Sequence, residues 1–269
     1  MGDFRRSNTN ALAQPALRSW WVKVPAITLS FWIVKVLSTT VGETAADYLA
    51  VNAGLGQTTT RVLMAVLLIA ALFVQLRKPL YTPWAYWLTV VLVSIVGTQI
   101  TDLLTDSLGV SLYVSTPVFA VALAVIFIAW YRVEHTLSIH DIVSRRRELF
   151  YWAAILCTFS LGTAAGDLAT EALGMGFRLG VVIFGALIAV TYLSFRLGEN
   201  AVLTFWLGYI LTRPLGASLG DLLTQAKTSG GLDMGTSWTC ALFLGVIVLL
   251  VAFEQFVQNS RLRRIRSRC

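Results

Sequence analysis

Residues 31–47 read FWIVKVLSTTVGETAAD, and the spacing within this stretch returns three more times along the chain. Phe31 and Trp32 open it, Gly42 follows ten residues after the tryptophan, and Asp47 follows five residues after the glycine. The other copies keep both spacings without a gap: Tyr86-Trp87, Gly97 and Asp102, then Tyr151-Trp152, Gly162 and Asp167, then Phe205-Trp206, Gly216 and Asp221. Each copy lies in a long apolar run, and a second apolar run follows it. The sequence therefore predicts four tandem repeats of two helices each.

The composition is that of a membrane protein. Of the 269 residues, 57% are hydrophobic and only 13% are charged, whereas about a quarter of a soluble domain is charged. Apolar segments recur at the length of about 20 residues that spans a bilayer. We therefore expect an all-α polytopic protein with eight transmembrane helices, near residues 26–50, 60–77, 84–107, 115–132, 149–173, 178–196, 200–226 and 237–257.

The basic residues predict the topology. Eight spans put both termini on one side, where the tails and loops hold sixteen Lys and Arg, while the opposite loops hold Arg61, Arg178 and Lys227. By the positive-inside rule both termini are then cytoplasmic. The expected parts are a basic N-terminal tail (1–23), a first half of two repeats (24–132), a cytoplasmic loop (133–148), a second half (149–258) and a basic tail (259–269).

The net charge of +7 does not indicate a nucleic-acid partner, because the basic residues lie just outside the apolar runs. The expected partner of the C-terminal tail is anionic lipid. A repeat with an even number of spans keeps its orientation, so the four helical hairpins should be parallel. The simplest arrangement is a pseudo-fourfold or pseudo-twofold bundle with the first helix of each repeat inside and the second helix outside.

The pattern resembles a family of bacterial membrane proteins built from four tandem two-helix repeats of unknown function, each with a characteristic tryptophan. The residues that carry the resemblance are Trp32, Trp87, Trp152 and Trp206. The resemblance implies a multi-pass protein of the bacterial inner membrane. It implies no established activity, so the expected mechanism depends on the residues alone.

A polar stripe on each first helix is the candidate site, because residues four apart share a helix face. The acids that we expect to converge are Glu43, Asp47, Asp102, Asp167 and Asp221, and the oxygen ligands beside them are Thr39, Ser94, Thr98, Gln99, Thr163 and Ser218. Charged side chains deep in a bilayer normally face the bundle interior or a water-filled cavity. Clustered carboxylates need a bound cation, protons or basic partners. The stripe therefore predicts a site for a small inorganic cation.

Two charged residues and a proline lie within the same helices. Arg213 is expected to neutralise one acid, and Pro214 beside it loosens its helix and marks a moving element. Lys35 either extends to the cytoplasmic surface or pairs with an acid. Small residues four apart let helices approach closely, and the residues expected to pack the helices are Gly42, Gly97, Gly162, Gly166, Gly216, Gly220 and the four repeat tryptophans.

Structural interpretations stay open beside the functional ones. Each repeated Asp is alternatively a packing device that binds an Arg or a Trp N–H between repeats. Asp106 and Glu171, one turn further out, fit solvated positions at the membrane interface. His135 and His140 are five apart in an Arg-rich loop, which favours a solvated loop over a metal site.

The preferred function is secondary transport of a cation. An all-oxygen ligand set suits a hard divalent metal such as Mn²⁺, and no cofactor other than such a bound cation is expected. Since no nucleotide motif is visible, transport would be coupled to protons or sodium. A passive channel is the alternative, although the stripe fades inward into Val90 and Ile155. A non-transporting scaffold or sensor is the other alternative, and an enzyme is not expected because no Ser/His/Asp set or His-rich site is present.

Overall fold

A computed structural model describes residues 22–266, without the side chains of residues 47, 51, 52, 261, 262 and 264–266. Over this range the fold is all-α. The eight long helices are α1 Leu29–Asp47, α2 Gln57–Arg77, α3 Pro83–Asp102, α4 Leu112–Glu134, α5 Arg145–Asp167, α6 Gly176–Arg196, α7 Ala201–Thr224 and α8 Thr236–Arg266. The predicted tails lie mostly outside the described residues, although α8 continues well beyond the predicted end of its span.

Three of the first helices end in the same irregular way. α1, α3 and α5 continue directly into one π-helical turn, at Tyr48–Asn52, Leu103–Ser107 and Leu168–Ala172. α7 ends instead at Thr224, with Gln225 in an extended conformation. Single π-turns inside helices are rare and occur frequently at functional sites. The repeat is therefore preserved down to a local backbone feature in three of its four copies.

Among residues 22–266, six helices are long and apolar enough to cross a bilayer: Gln57–Arg77, Pro83–Ser107, Leu112–Glu134, Arg145–Ala172, Gly176–Arg196 and Thr236–Ser260. The chain is therefore a multi-pass membrane protein by length and composition. The remaining two long helices, α1 and α7, are less apolar than these six because charged residues interrupt their sequences. Lys35 and Glu43 do so in α1, and Arg213 and Asp221 do so in α7.

The first helices of the four repeats form a closed ring. α1 packs against α3, α3 against α5, α5 against α7, and α7 against α1. The second helices pack outside this ring, α2 on α3, α4 on α5, α6 on α7 and α8 on α1. Each outer helix thus has its main contact with the inner helix of the following repeat. The hairpins are interlocked around the ring instead of packing as four separate units.

The repeated glycines set the spacing of the inner ring. A Cβ added at any of them would lie 2.5–2.6 Å from the Cβ of a residue on the next inner helix; the pairs are Gly42 with Ser94, Gly97 with Phe159, Gly162 with Arg213 and Gly216 with Thr39. In every pair the contacted residue lies three positions before the glycine of its own repeat. Gly166 and Gly220 are less constrained, since an added Cβ would lie 3.4 Å from its nearest neighbour. The same contact therefore recurs at all four interfaces, which gives the ring its pseudo-fourfold character.

Gly97→Ala should lower the free energy of unfolding by about 1–3 kcal/mol, the usual cost of forcing extra atoms into a packed core. The added methyl group would lie 2.6 Å from Phe159 Cβ, which only a backbone shift of α3 or α5 relieves. The matched control is Gly245→Ala on α8, where an added Cβ meets no atom within 4 Å. Thermal unfolding of both variants in detergent measures the difference, and equal midpoints would contradict the close approach of α3 and α5.

An aromatic girdle, made of the Phe-Trp or Tyr-Trp pair of each repeat, packs the N-terminal parts of the inner helices together. The first aromatic ring of each pair contacts the tryptophan of the next inner helix, with centroids 5.5–6.2 Å apart: Phe31 with Trp87, Tyr86 with Trp152, Tyr151 with Trp206, and Phe205 with Trp32. The Tyr86 and Tyr151 hydroxyls are 2.5 Å apart, and both residues are fully buried. The girdle thus closes this end of the ring.

The segment before α1 is held in the protein interior. Lys23 Nζ donates to Glu148 Oε2 over 2.7 Å and to the Leu76 carbonyl over 3.3 Å, and Gln75 Nε2 donates to the other oxygen of Glu148. Sequence reasoning assigned Lys23 to the basic N-terminal tail of residues 1–23. The structure buries it instead, because Glu148 is itself fully buried and needs a counter-charge.

A second cluster at this end joins α8 to the start of α3. Glu254 accepts from the Tyr81 hydroxyl over 3.0 Å and from Trp87 Nε1 over 3.3 Å. Burial raises the pKa of the Tyr81 hydroxyl, and the neighbouring Glu254 carboxylate raises it further. Tyr81 therefore stays a hydrogen-bond donor, and the last helix is fixed to the second repeat.

Candidate functional site

The C-terminal ends of all four inner helices border one cavity of about 220 Å³. Its acidic lining comes from every repeat; it consists of Glu43, Asp102, Asp106, Asp167, Glu171 and Asp221. The amide side chains of Gln99 and Gln225 and the guanidinium of Arg61 line it as well. The four predicted stripes thus meet at the end of the ring opposite the aromatic girdle.

Exposure falls from the mouth of the cavity to its floor. Asp106 and Glu171 are exposed, Asp102 and Asp167 are half-buried, and Asp221 is buried. Asp106 and Glu171 are the more exposed because each lies four residues, or about 6 Å along the helix axis, beyond Asp102 or Asp167 on the same face. The cavity is therefore a funnel of carboxylates that opens where the π-turns lie.

Arg213 lies below the cavity, where it bonds the cavity residue Glu43. Its side chain is fully buried, and its Nη2 donates to Glu43 Oε2 over 2.7 Å, to Thr163 Oγ1 over 2.8 Å and to Thr98 Oγ1. Its Nη1 donates to the Thr39 carbonyl over 2.9 Å. Since Arg213 belongs to the fourth repeat, one guanidinium joins all four repeats. Glu43, Thr98, Thr163 and Ala217 each follow the repeated glycine of their helix, and we call this set the inner layer.

Lys35 lies on the girdle side of Arg213. Its Nζ is 3.9 Å from the ring centroid of Phe159 and 4.1 Å from that of Tyr209, and the residue is fully buried. Within residues 22–266 its amine has no hydrogen-bond partner. The expectation that Lys35 extends to the surface was therefore wrong. Two aromatic faces hold its amine, and no acid among the described side chains pairs with it.

The predicted oxygen ligands separate into two groups. Thr98 and Thr163 accept hydrogen bonds from Arg213, and Gln99 lines the cavity. The other three lie at helix interfaces; the Thr39 hydroxyl donates to Val36 and Thr212 carbonyls, Ser94 lies against Gly42, and Ser218 faces Gly180 on α6. Sequence periodicity places a residue on a face within about one position, and this precision does not separate an axis from an adjacent interface.

Pro214 lies at the interface of α5 and α7, where it packs against Gly162 and Gly166. Trp87, Trp152 and Trp206 are buried in the girdle and Trp32 is half-buried. Asp47 is the last residue of α1, but its side chain lies outside the described part of the structure.

Some cavity residues were not among the predicted ligands. Asp106, Glu171 and Gln225 continue the stripe by one more turn, so the i, i+4 pattern itself was the signal for them. Arg61 comes from the outer helix α2, where it bonds Gln57 and Ser107, and no periodic signal points to it. Within residues 22–266, no three His, Cys, Asp or Glu side chains are arranged to hold a metal ion directly.

The two-helix repeat of this architecture matches a known protein family. A Repeat of Unknown Function (DUF347) matches the sequence four times, at residues 30–81, 85–136, 150–197 and 204–260. The chain belongs to this family. Each DUF347 repeat covers one inner and one outer helix, so the family unit is the two-helix repeat described above. No curated protein and no solved structure matches the chain.

Proposed function

We propose that this DUF347 protein is a secondary transporter that binds a hard divalent cation such as Mn²⁺ in the acidic cavity. The observation that carries the proposal is the convergence of Glu43, Asp102, Asp167 and Asp221, one from each repeat, on one cavity. Carboxylate, hydroxyl and amide oxygens are the ligands that hard divalent cations prefer. A cavity of about 220 Å³ is large enough for an ion that keeps part of its water shell.

Coupling to protons fits the same residues. Several carboxylates that share one cavity repel each other, and each proton or cation that binds relieves this repulsion. Such a cluster takes up and releases protons as a unit. Exchange of cation against protons therefore needs no additional site and no nucleotide.

In the proposed topology all eight helices cross the bacterial inner membrane as four parallel hairpins and both termini are cytoplasmic, as the positive-inside rule predicts. The cavity then opens to the periplasm, and the aromatic girdle lies towards the cytoplasm. The basic end of α8 meets anionic lipid of the cytoplasmic leaflet.

The charges below the cavity favour a transporter over a passive channel. A cation leaving the cavity inward meets Arg213 and then Lys35, both fully buried, and then the aromatic girdle. A cation channel requires a continuous polar path with weak binding sites. A non-transporting scaffold would also need hydrogen bonds like those around Arg213. It would not need an open cavity lined with carboxylates.

Metal flux in proteoliposomes tests the proposal. We expect Asp102→Asn and Asp167→Asn each to reduce Mn²⁺ uptake by about tenfold or more, the factor that corresponds to about 1.4 kcal/mol of lost ion binding. The control is Asp233→Asn, an exposed residue on the loop between α7 and α8 that does not line the cavity. Uptake that is unchanged in both cavity variants would contradict cation transport, and single-channel conductance without proton coupling would favour the channel.

A further inference from the structure

The inner layer has the chemistry of a cation site that is already occupied. A carboxylate oxygen and two hydroxyl oxygens surround one nitrogen, Nη2 of Arg213, and a backbone carbonyl binds Nη1. Every one of these partners is a hydrogen-bond acceptor, and they come from three different helices. The guanidinium is fully buried. A buried cation surrounded in this way by acceptors from several elements indicates a built site, since an unpaired buried charge is costly.

Arg213 occupies this site from its position on α7, and it does not use all of its hydrogen-bond donors there. The Nε of Arg213 is buried and has no partner within the described residues, so the guanidinium is bound through its tip alone. Pro214 follows directly, and a proline inside a helix removes one backbone hydrogen bond and loosens the helix there. These features leave Arg213 able to withdraw while the acceptors of the inner layer stay in place.

Glu43 links this inner site to the cavity. Its carboxylate accepts from Arg213, and the same residue lines the cavity. A cation that reaches Glu43 from the cavity therefore competes with Arg213 for one carboxylate. Occupation of Glu43 Oε2 by Arg213 and occupation of the same oxygen by an incoming cation are mutually exclusive.

We infer that Glu43, Thr98, Thr163 and the Thr39 carbonyl form a second, inner cation site, and that Arg213 is its resident occupant, which an incoming cation must displace. While Arg213 holds the site, the path inward is closed. The gating role rests on the proposed transport function, because a gate requires a moving ion. The site itself can be tested without any transport.

Chemical rescue by guanidinium tests the site. Arg213→Ala removes the side-chain guanidinium and leaves the acceptors, so free guanidinium ion at low millimolar concentration should fill the vacated position. At about a tenfold excess over its dissociation constant it should raise the thermal midpoint of the variant by about 3 °C relative to equal sodium chloride. The matched control is Arg61→Ala, which removes the same charge from the cavity lining and leaves the inner site occupied.

Rescue confined to Arg213→Ala supports the site, and an equal shift or no shift in the two variants overturns it. If Arg213→Ala is unstable, it is purified with and without guanidinium throughout. Monodisperse protein with guanidinium alone supports the site, and no recovery under either condition overturns it.

The gate is tested by Mn²⁺ binding to the same variant. Removal of the resident competitor should tighten Mn²⁺ binding by about tenfold, and added guanidinium should reverse this gain. Unchanged Mn²⁺ affinity in a variant that guanidinium rescues would overturn the gate while the site stands. Guanidinium rescue with no Mn²⁺ binding to wild type or variant would contradict the proposed cation transport and leave the inner site in place.

Discussion

Glu43→Ala should lower the free energy of unfolding by about 3–5 kcal/mol, the cost of leaving one member of a buried ion pair without its partner. Arg213 is fully buried, and Glu43 is the carboxylate that it bonds, at 2.7 Å. Two hydroxyls and a carbonyl remain around the guanidinium in the variant, but none of them carries a charge. Chemical or thermal unfolding in detergent micelles measures the effect.

Two further variants make this prediction specific. Arg146→Ala removes an arginine whose side chain is 67% exposed and leaves Glu134 bonded to Arg147 at 2.7 Å, so we expect a cost of no more than about 1 kcal/mol. Replacing both buried partners, as in Glu43→Leu with Arg213→Met, should recover most of the lost stability, since apolar pairs of similar volume replace buried ion pairs at little cost. A Glu43→Ala variant as stable as Arg146→Ala would mean that the pair does not hold the ring together.

Neutralising three cavity carboxylates together should weaken Mn²⁺ binding without lowering the stability of the metal-free protein. Asp102→Asn, Asp167→Asn and Asp221→Asn combined should weaken Mn²⁺ binding by about 100-fold or more, or about 2.7 kcal/mol. The same variant without metal should be no less stable than wild type, because neutral amides do not repel each other as carboxylates do. Mn²⁺ titration and thermal unfolding of one preparation measure both quantities.

The structural alternative predicts the reverse. If each repeated Asp is a packing device that binds an Arg or a Trp N–H between repeats, the triple variant should lose stability and metal binding should not depend on it. A clear fall in the midpoint of the metal-free triple variant would therefore support packing over cation binding.

The repeat and the inner face of each first helix could be predicted because both leave a periodic signal. Trp, Gly and Asp recur at fixed spacings, and a polar residue every fourth position on an apolar helix has only one favourable direction to face. The family match over four repeats confirmed the tandem architecture. The glycine contacts between neighbouring inner helices follow from the same register.

The packing of the outer helices could not be predicted in the same way. Residues 63–73 and 118–128 are apolar on all faces, and such a helix carries no moment that identifies its neighbour. That α2 packs on α3 and α8 packs on α1 depends on loop geometry, for which the sequence gives no period. For this reason the sequence did not indicate that Arg61, a residue of the outer helix α2, lines the cavity.

The contacts of the two buried basic residues, Arg213 and Lys35, could also not be predicted in full from the sequence. Arg213 was expected to neutralise an acid, and it does bond Glu43, but its bonds to Thr98 and Thr163 depend on which layer its long side chain reaches. Lys35 lies between Phe159 and Tyr209, two residues that come from α5 and α7. A long flexible side chain on one helix does not indicate which ring on another helix will hold it.

Equilibrium binding of Mn²⁺, followed by the loss of the free-ion signal in electron paramagnetic resonance, tests the central claim most directly. The purified wild-type protein should bind Mn²⁺ saturably in the cavity that Glu43, Asp102, Asp167 and Asp221 line, and the triple Asp→Asn variant should lose this binding while it remains folded. Equal Mn²⁺ binding by the two proteins, or no saturable binding by the wild type, would contradict a cation site built from one carboxylate of each repeat.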